Sequence, residues 1–402
     1  MFMTSAEPPS RSSGQIVQTR SPFVRLSELL AGIEPGRSPI NLTVGEPQHP
    51  IPPFVGPVMA ANLRGFGRYP HTKGSERFRR SAAAWLERRF GLPRRVDPEH
   101  EVLVLNGTRE GLFLAALTAK EMVNKERPAI LVPNPFYAAY LAGAVTAGCE
   151  PAFLPATRQT GFLPDLDTLS EALLARTVAI YFGSPTNPQG AVADRAYLAR
   201  LVGFARRHNF LIFSDECYSE IYTRQQPAGV LEAAGADFAN VVAFNSLSKR
   251  SNLPGLRVGL AAGDPRFLRK FLDFRNVVAP QVPGPAQEVA ASAYEDEAHV
   301  EENRRLYRLK FDLADQIIGN RYGYERPAGG FFLWLCVADY GGSEQVALKL
   351  WREAGVRILP GGYLAHGEPD GGNPGADYIR VAMVQDQDVT AEALHRIVEV
   401  LR

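Results

Sequence analysis

From residue 101 onward, short apolar runs alternate with polar turns and amphipathic segments, and this alternation limits the possible folds more than any other feature of the chain. Residues 102–105 are apolar throughout, 106–109 are a polar turn, and 110–123 carry apolar residues at helical spacing. Runs of the first kind return at 129–132, 178–182, 210–214 and 241–244. Apolar runs that short read as buried strands, and strands alternating with helices predict an α/β fold. The chain has 402 residues, more than one ordinary core accommodates, so two domains are expected. A Pro- and Gly-rich stretch at 278–285 marks the boundary between them.

The expected divisions are a flexible tail over 1–20, an N-terminal segment over 21–45 and a large domain over 46–285. The remainder, 286–402, divides into one long linker helix reaching about residue 318 and a small C-terminal domain. That small domain reads as α/β, with strands at 329–335 and 356–359 around a helix at 344–354. A first helix is expected just after the tail, from the apolar spacing over 21–30.

Composition excludes several classes of function. Forty-four basic and forty-three acidic side chains leave a net charge of +1, which gives no reason to expect a nucleic-acid partner. Three cysteines, Cys149, Cys217 and Cys336, lie far apart with no Cys-x-x-Cys, which argues against a disulfide framework or a metal site. Cys217 has no neighbouring histidine and reads as packing. No run of 18 apolar residues exists, and residues 1–15 contain no apolar signal core, so no membrane span is expected and the cytoplasm is the expected location.

The chemistry gathers where the apolar runs end. After 241–244 come Ser246, Ser248 and Lys249, with Arg257 eight residues past the lysine. One amine among hydroxyls and a guanidinium suits a phosphorylated aldehyde: the amine takes the carbonyl and the others hold the phosphate. The simpler reading of an isolated Ser-x-Ser-Lys is a surface loop. Gly107 and Thr108 stand at a strand-to-helix junction, a ready anion site, although N-capping by Thr108 explains them equally well. Asp215 closes the 210–214 run, where a carboxylate needs a positive partner. Asn187 follows the 178–182 run within Asn187-Pro188-Gln189-Gly190. These are the strand-end positions at which open α/β sheets bind ligands.

The stretch from Ser246 through Leu247, Lys249, Leu253, Pro254 and Gly255 to Arg257 resembles the lysine segment of fold-type I pyridoxal-phosphate (PLP) aminotransferases, most closely that of the N-succinyldiaminopimelate aminotransferases. The resemblance implies a large domain with a mixed, mostly parallel sheet between helices, a smaller α/β domain, PLP as cofactor and a homodimer with shared sites. It also implies roles. Lys249 carries the cofactor and moves the substrate's α-proton; Asp215 pairs with the ring nitrogen; Asn187 and Tyr218 bond the ring's 3-oxygen; Tyr137 stacks on the ring. Gly107, Thr108, Arg109, Ser246, Ser248 and Arg257 cradle the phosphate. Tyr69, in a Tyr-x-x-x-x-Gly-x-x-x-x-Arg segment with Gly74 and Arg79, reaches the cofactor of the neighbouring subunit. Gly45 lets backbone approach the ligand, and Arg380 takes the substrate α-carboxylate by a bidentate fork.

The activity so implied is ping-pong transamination between an amino acid and 2-oxoglutarate, with N-succinyl-L,L-diaminopimelate as donor. Aspartate- or aromatic-type specificity is the alternative, because no side-chain reader stands out; Arg68 and Arg109 are candidates for a distal carboxylate. A β-lyase or decarboxylase would use the same lysine and aspartate. A PLP-sensing regulatory domain would need a DNA-binding module, and the 40 residues before Gly45 are too poor in helix to supply one.

Overall fold

Among the residues described by the structure, a computed structural model covering 20–368 and 371–402, twelve strands divide among three sheets. The expected tail, but for residue 20, lies outside the described residues. Strand β1 (Ile40–Asn41) comes first. The large sheet then holds β2 (Val102–Leu105), β3 (Ala129–Asn134), β4 (Glu150–Pro155), β5 (Thr177–Gly183), β6 (Leu211–Asp215), β7 (Val241–Ser246) and β8 (Gly259–Gly263). Their spatial order is β2-β8-β7-β6-β5-β3-β4. Only β8 runs against its neighbours; the other pairings are parallel. This is the mixed, mostly parallel sheet the resemblance implied.

Both faces of that sheet are covered, which explains why its strands are apolar without alternation. In β7, Val241 and Ala243 face one buried cluster, with Trp85, Leu86 and Tyr294, while Val242 and Phe244 face another, with Leu112, Phe267 and Phe271. Strand β4 was not foreseen. Its sequence, Glu150-Pro-Ala-Phe-Leu-Pro155, carries two prolines, which remove ladder donors and argue against a strand. It is tolerated because β4 is the edge strand beyond β3.

Smaller sheets complete the molecule. Strands β9 (Phe332–Cys336), β11 (Leu359–Pro360) and β12 (Tyr378–Ala382) form an antiparallel sheet in the order β11-β12-β9, and β10 (Val356–Arg357) pairs in parallel with β1. The expected single strand over 356–359 is therefore two, separated at Ile358 and belonging to different sheets. Helix Pro22–Leu29 and β1 bury Leu26 and Ile40 in the small sheets' core, beside Tyr307, Phe311 and Val356.

The single linker helix expected over 286–318 is also two. Helix Gly284–Glu295 ends where Asp296 turns extended (φ −110°, ψ 123°), and helix Ala298–Ile317 follows. The Asp296 carboxylate accepts the His299 backbone N–H at 3.2 Å, so an acid that reads as part of a solvated helix face instead takes a first-turn donor of the next helix from one residue ahead of its cap, Glu297. The change of core comes here. Helix Gly284–Glu295 gives Val289, Ala290, Ala293 and Tyr294 to the large sheet's core, and helix Ala298–Ile317 gives Tyr307, Phe311 and Ala314 to the small one.

Across this junction runs a buried ion triad. Glu220, 3% exposed, meets Arg89 of helix Glu76–Phe90 through one oxygen and Arg304 of helix Ala298–Ile317 at 3.1 Å through the other.

Candidate active site

Parallel strands deliver their carboxyl ends to one rim, and the sequence loads that rim with polar groups. Strand β2 ends before Gly107 and Thr108, β3 before Tyr137, β5 before Asn187, β6 at Asp215, and β7 before Ser248 and Lys249. Reversed β8 begins there, so Arg257, just upstream of it, joins the same rim. The small sheet contributes Arg380 from β12. Together these groups line a cavity of about 1040 Å³ that includes Gly45, Thr108, Arg109, Tyr137, Asn187, Asp215, Tyr218, Ser246, Ser248, Lys249, Arg257 and Arg380.

Lys249 sits at its centre. Its Nζ donates to the Gly45 carbonyl and lies 5.6 Å from the centroid of the Phe331 ring. Burial, reinforced by the Arg380 and Arg257 charges, lowers its pKa to about 8. Gly45 lets the backbone pack against the Phe332 ring, since a Cβ there would come within 2.6 Å of it.

Asp215 is held from two sides. The Tyr140 hydroxyl donates to one oxygen at 2.7 Å and the Cys217 backbone N–H to the other at 3.3 Å. Burial pushes its carboxyl up, and the Cys217 and Tyr140 hydrogen bonds and the Lys249 charge oppose that push. Tyr218 lines the cavity with its ring edge-on to Phe331 and Phe332, and burial raises its hydroxyl well above the ordinary phenol range. The Tyr137 hydroxyl accepts from Arg109 Nε.

Gly107, Ser246, Ser248 and Arg257 surround a bare turn. Gly107 has φ +76°, and a Cβ on it would overlap the Arg257 guanidinium. Arg257 itself holds a left-handed φ of 57°, a strain of about 1–2 kcal/mol that folds its side chain back over Gly107. Its Nη1 donates to the Pro254 carbonyl at 2.9 Å, and no carboxylate among the described residues pairs with it. The Ser246 and Ser248 hydroxyls lie 2.9 Å apart. Thr108 is not the helix cap: Gly107 occupies that position, and the Thr108 hydroxyl lies 3.1 Å from Cys217 Sγ. Cys217 is accordingly a lining residue as well as a packing one.

Arg380 is 4% exposed. Its Nη1 donates to Asn187 Oδ1 at 3.0 Å and its Nη2 to the Thr43 carbonyl at 2.6 Å, while Nε has no partner. The guanidinium carbon stands 4.3 Å from the Phe332 ring centroid. Burial lowers its pKa to about 10, and no carboxylate among the described residues forms an ion pair with it. A buried cation with no carboxylate partner is costly, and an anion within reach of it would offset that cost.

Two candidates stand apart. Tyr69 is 96% exposed and does not line the cavity, and neither does Arg68. Arg79 is buried and structural, bonding the Gly74 and Pro98 carbonyls and Glu99. Sequence reasoning missed Tyr140, which carries the Asp215 hydrogen bond. A signal for it existed: it lies three residues past Tyr137 at the start of a helix, so the two rings share a face, 5.6 Å apart. It also missed Phe332, Arg25 and Tyr363, all of which line the cavity.

Comparison with known proteins gives a consistent result. The model of the family described as aminotransferase class I and II matches residues 37–397. An LL-diaminopimelate aminotransferase of Syntrophobacter fumaroxidans is 32% identical over 367 residues, covering 89% of this chain and 90% of that protein. The crystal structure of an aminotransferase from Neisseria meningitidis superposes with a TM-score of 0.89 at 37% identity, over 95% of this chain and 98% of its own. A probable N-succinyldiaminopimelate aminotransferase of Thermus thermophilus superposes with a TM-score of 0.83 at 25% identity, over 95% and 100%.

Proposed function

The chain belongs to the class I and II aminotransferases, enzymes that use pyridoxal phosphate, and from that premise we propose which of its residues hold the cofactor and which substrates they serve. The cavity fits this group. Gly107, Thr108, Ser246, Ser248 and unpaired Arg257 suit its phosphate, and Gly107 leaves the turn bare for close approach. Tyr137 offers a flat face, Asn187 and Tyr218 polar groups for its ring oxygen, and Asp215 a carboxylate for its ring nitrogen. When bound, the cofactor supplies an aldehyde for the lysine amine and a protonated pyridine that stabilises negative charge beside it.

The rest is work for the chain's own side chains. Arg380 and Asn187 bind and orient the substrate α-carboxylate, the guanidinium by the paired geometry lysine lacks. Lys249, with its pKa lowered to about 8, has a substantial neutral fraction near physiological pH and serves as the base that takes the α-proton and returns it. The hydrogen bond from Tyr140 keeps Asp215 aimed and opposes the upward push that burial gives its carboxyl. The small sheet closes the cavity through Phe332 and excludes water from these charges.

We infer that the amino donor is a diaminopimelate-type amino acid, as the names of the relatives suggest, and that 2-oxoglutarate is the acceptor. The single observation that carries the reading is the buried guanidinium of Arg380, paired with no carboxylate among the described residues, in one cavity with the Lys249 amine, whose pKa is lowered to about 8. Arg380→Lys is expected to raise KM for the amino acid roughly thirtyfold, about 2 kcal/mol, while the cofactor stays bound. An unchanged KM removes Arg380 from the substrate site. Assay of LL-diaminopimelate, its N-succinyl derivative, aspartate and aromatic amino acids against 2-oxoglutarate decides specificity, and transfer from aspartate alone would overturn the diaminopimelate reading.

The reading includes a homodimer. Tyr69, with Leu63 and Phe66 near it also exposed, is positioned to serve a neighbouring subunit's site. Sedimentation of the holoenzyme as a monomer would refute this. No described helix is long and apolar enough to cross a membrane, and a cytoplasmic location accords with substrates of this class.

A further inference from the structure

Outside the cavity lining, a second group of polar side chains has no part in the mechanism above: Asn303 and Lys310 are buried and His49 is half-buried. Lys310, 1% exposed, spends its three donors on His49 Nε2 at 2.8 Å and on the carbonyls of Met383 and Val384, each at 3.2 Å. His49 Nδ1 meets Asn303 Oδ1 at 2.7 Å. Asn303 Nδ2 then donates to the carbonyl of Lys249 at 3.1 Å and, more weakly, to that of Arg250 at 3.4 Å.

The direction of this chain is fixed by chemistry. An ammonium has donors only, so His49 Nε2 accepts and Nδ1 carries the hydrogen. Only the Asn303 amide nitrogen can face two carbonyls, so its oxygen faces His49. The whole run points one way, from Lys310 to the backbone of Lys249, and each bond polarises the next.

The relay also touches three parts of the site. His49 lies four residues after Gly45, whose carbonyl receives Lys249 Nζ. Met383 and Val384 directly follow β12, which carries Arg380. Asn303 and Lys310 ride on helix Ala298–Ile317 of the small domain's core, seven residues apart and on one face. Burial lowers His49 to about 4 and Lys310 to about 8, so at neutral pH His49 is neutral, as the relay requires. The carboxylates that act on the pair are Glu302, on the same helix, and Asp386, beyond β12. Neither forms an ion pair with Lys310. The Tyr307 ring packs against His49 at 4.5 Å.

We propose that His49, Asn303 and Lys310 are positioning residues for transamination: a directional hydrogen-bond relay that holds the backbone of Lys249 in register with the strand that carries Arg380. The proposal rests on the reading of Lys249 as the cofactor-bearing amine. Removing a link leaves both catalytic side chains present and lets them drift relative to one another. A drift of about 1 Å is enough to lower kcat by one to two orders of magnitude.

The test uses the holoenzyme and three substitutions. His49→Phe keeps the ring against Tyr307 and removes both bonds. Asn303→Asp keeps the shape and removes the donor to the Lys249 carbonyl. His49→Gln retains an amide able to accept and donate. The readouts are kcat, KM and the pH midpoint of the cofactor's visible absorbance, with borohydride reduction and peptide mapping to locate the labelled lysine. We expect kcat to fall about tenfold or more in His49→Phe and Asn303→Asp with KM within about threefold, and the absorbance midpoint to move in both. His49→Gln is expected to recover most of the loss. If label lies on Lys249 and kcat and midpoint match the parent in Asn303→Asp, the relay is only structural and the proposal fails. Label on a lysine other than 249 sinks the underlying reading instead. If His49→Phe does not fold, the comparison of Asn303→Asp with His49→Gln gives the same decision.

Discussion

Lys249 is useful because of where its amine is buried, and that burial has a measurable consequence in the protein without cofactor. Its pKa falls from 10.5 to about 8 on folding. Between those values the unfolded chain binds the proton and the folded chain does not, so this residue's contribution to stability improves as pH rises from about 8 to about 10.5. Below pH 8 the buried charge is a full liability. Apoprotein Lys249→Met is therefore expected to be more stable than the parent at pH 7, with the advantage shrinking towards pH 10.5. Urea unfolding at several pH values checks this, and an advantage that grows with pH would contradict it. At this scale the sequence was informative wherever a residue followed an apolar run, as Lys249, Asp215 and Asn187 do. It was uninformative for Phe332, whose role comes from neighbours distant in the chain, and for Tyr140 its only signal was the shared face with Tyr137.

At the scale of elements, the turn from β2 into helix Thr108–Met122 makes the sharpest prediction. Gly107→Ala places a Cβ where the Arg257 guanidinium lies and burdens a φ of +76°. Loss of stability of about 1–2 kcal/mol is expected from the backbone, together with a clear loss of cofactor retention on dialysis. Retention equal to the parent would mean that the phosphate is held elsewhere. The strands of the large sheet were legible because both their faces are buried, leaving unbroken apolar runs. Strand β4 was not, since an edge tolerates the prolines that forbid an interior position. The break at Asp296 was hidden for a similar reason: an aspartate looks alike on a solvated helix face and just ahead of a helix start, and only the tertiary packing decides.

For the molecule as a whole, nothing local in the sequence marked where the helices of the large sheet meet the small sheets. The meeting is carried in part by the Arg89–Glu220–Arg304 triad, a long-range arrangement with no local signature. Glu220→Gln leaves the buried Arg89 guanidinium with no carboxylate partner among the described residues and Arg304 with Glu301 alone. It is expected to destabilise the protein by about 3–5 kcal/mol in thermal or urea unfolding. A loss under about 1 kcal/mol would show that water compensates at the junction. The same change should leave KM for the amino acid near the parent value, because Glu220 does not line the cavity.

The single reversed strand, β8, has a consequence for how this enzyme can change over time. It is threaded between β2 and β7, so the chain leaves the rim at Ser246 and must come back to that rim at Gly259. Lys249 and Arg257 thus travel on one short leash pinned at both ends. Insertions there would displace both groups together, whereas loops hung on the far rim are free to lengthen. Variation in size among its kin should therefore collect on the opposite side of the sheet, with the leash itself constant in length.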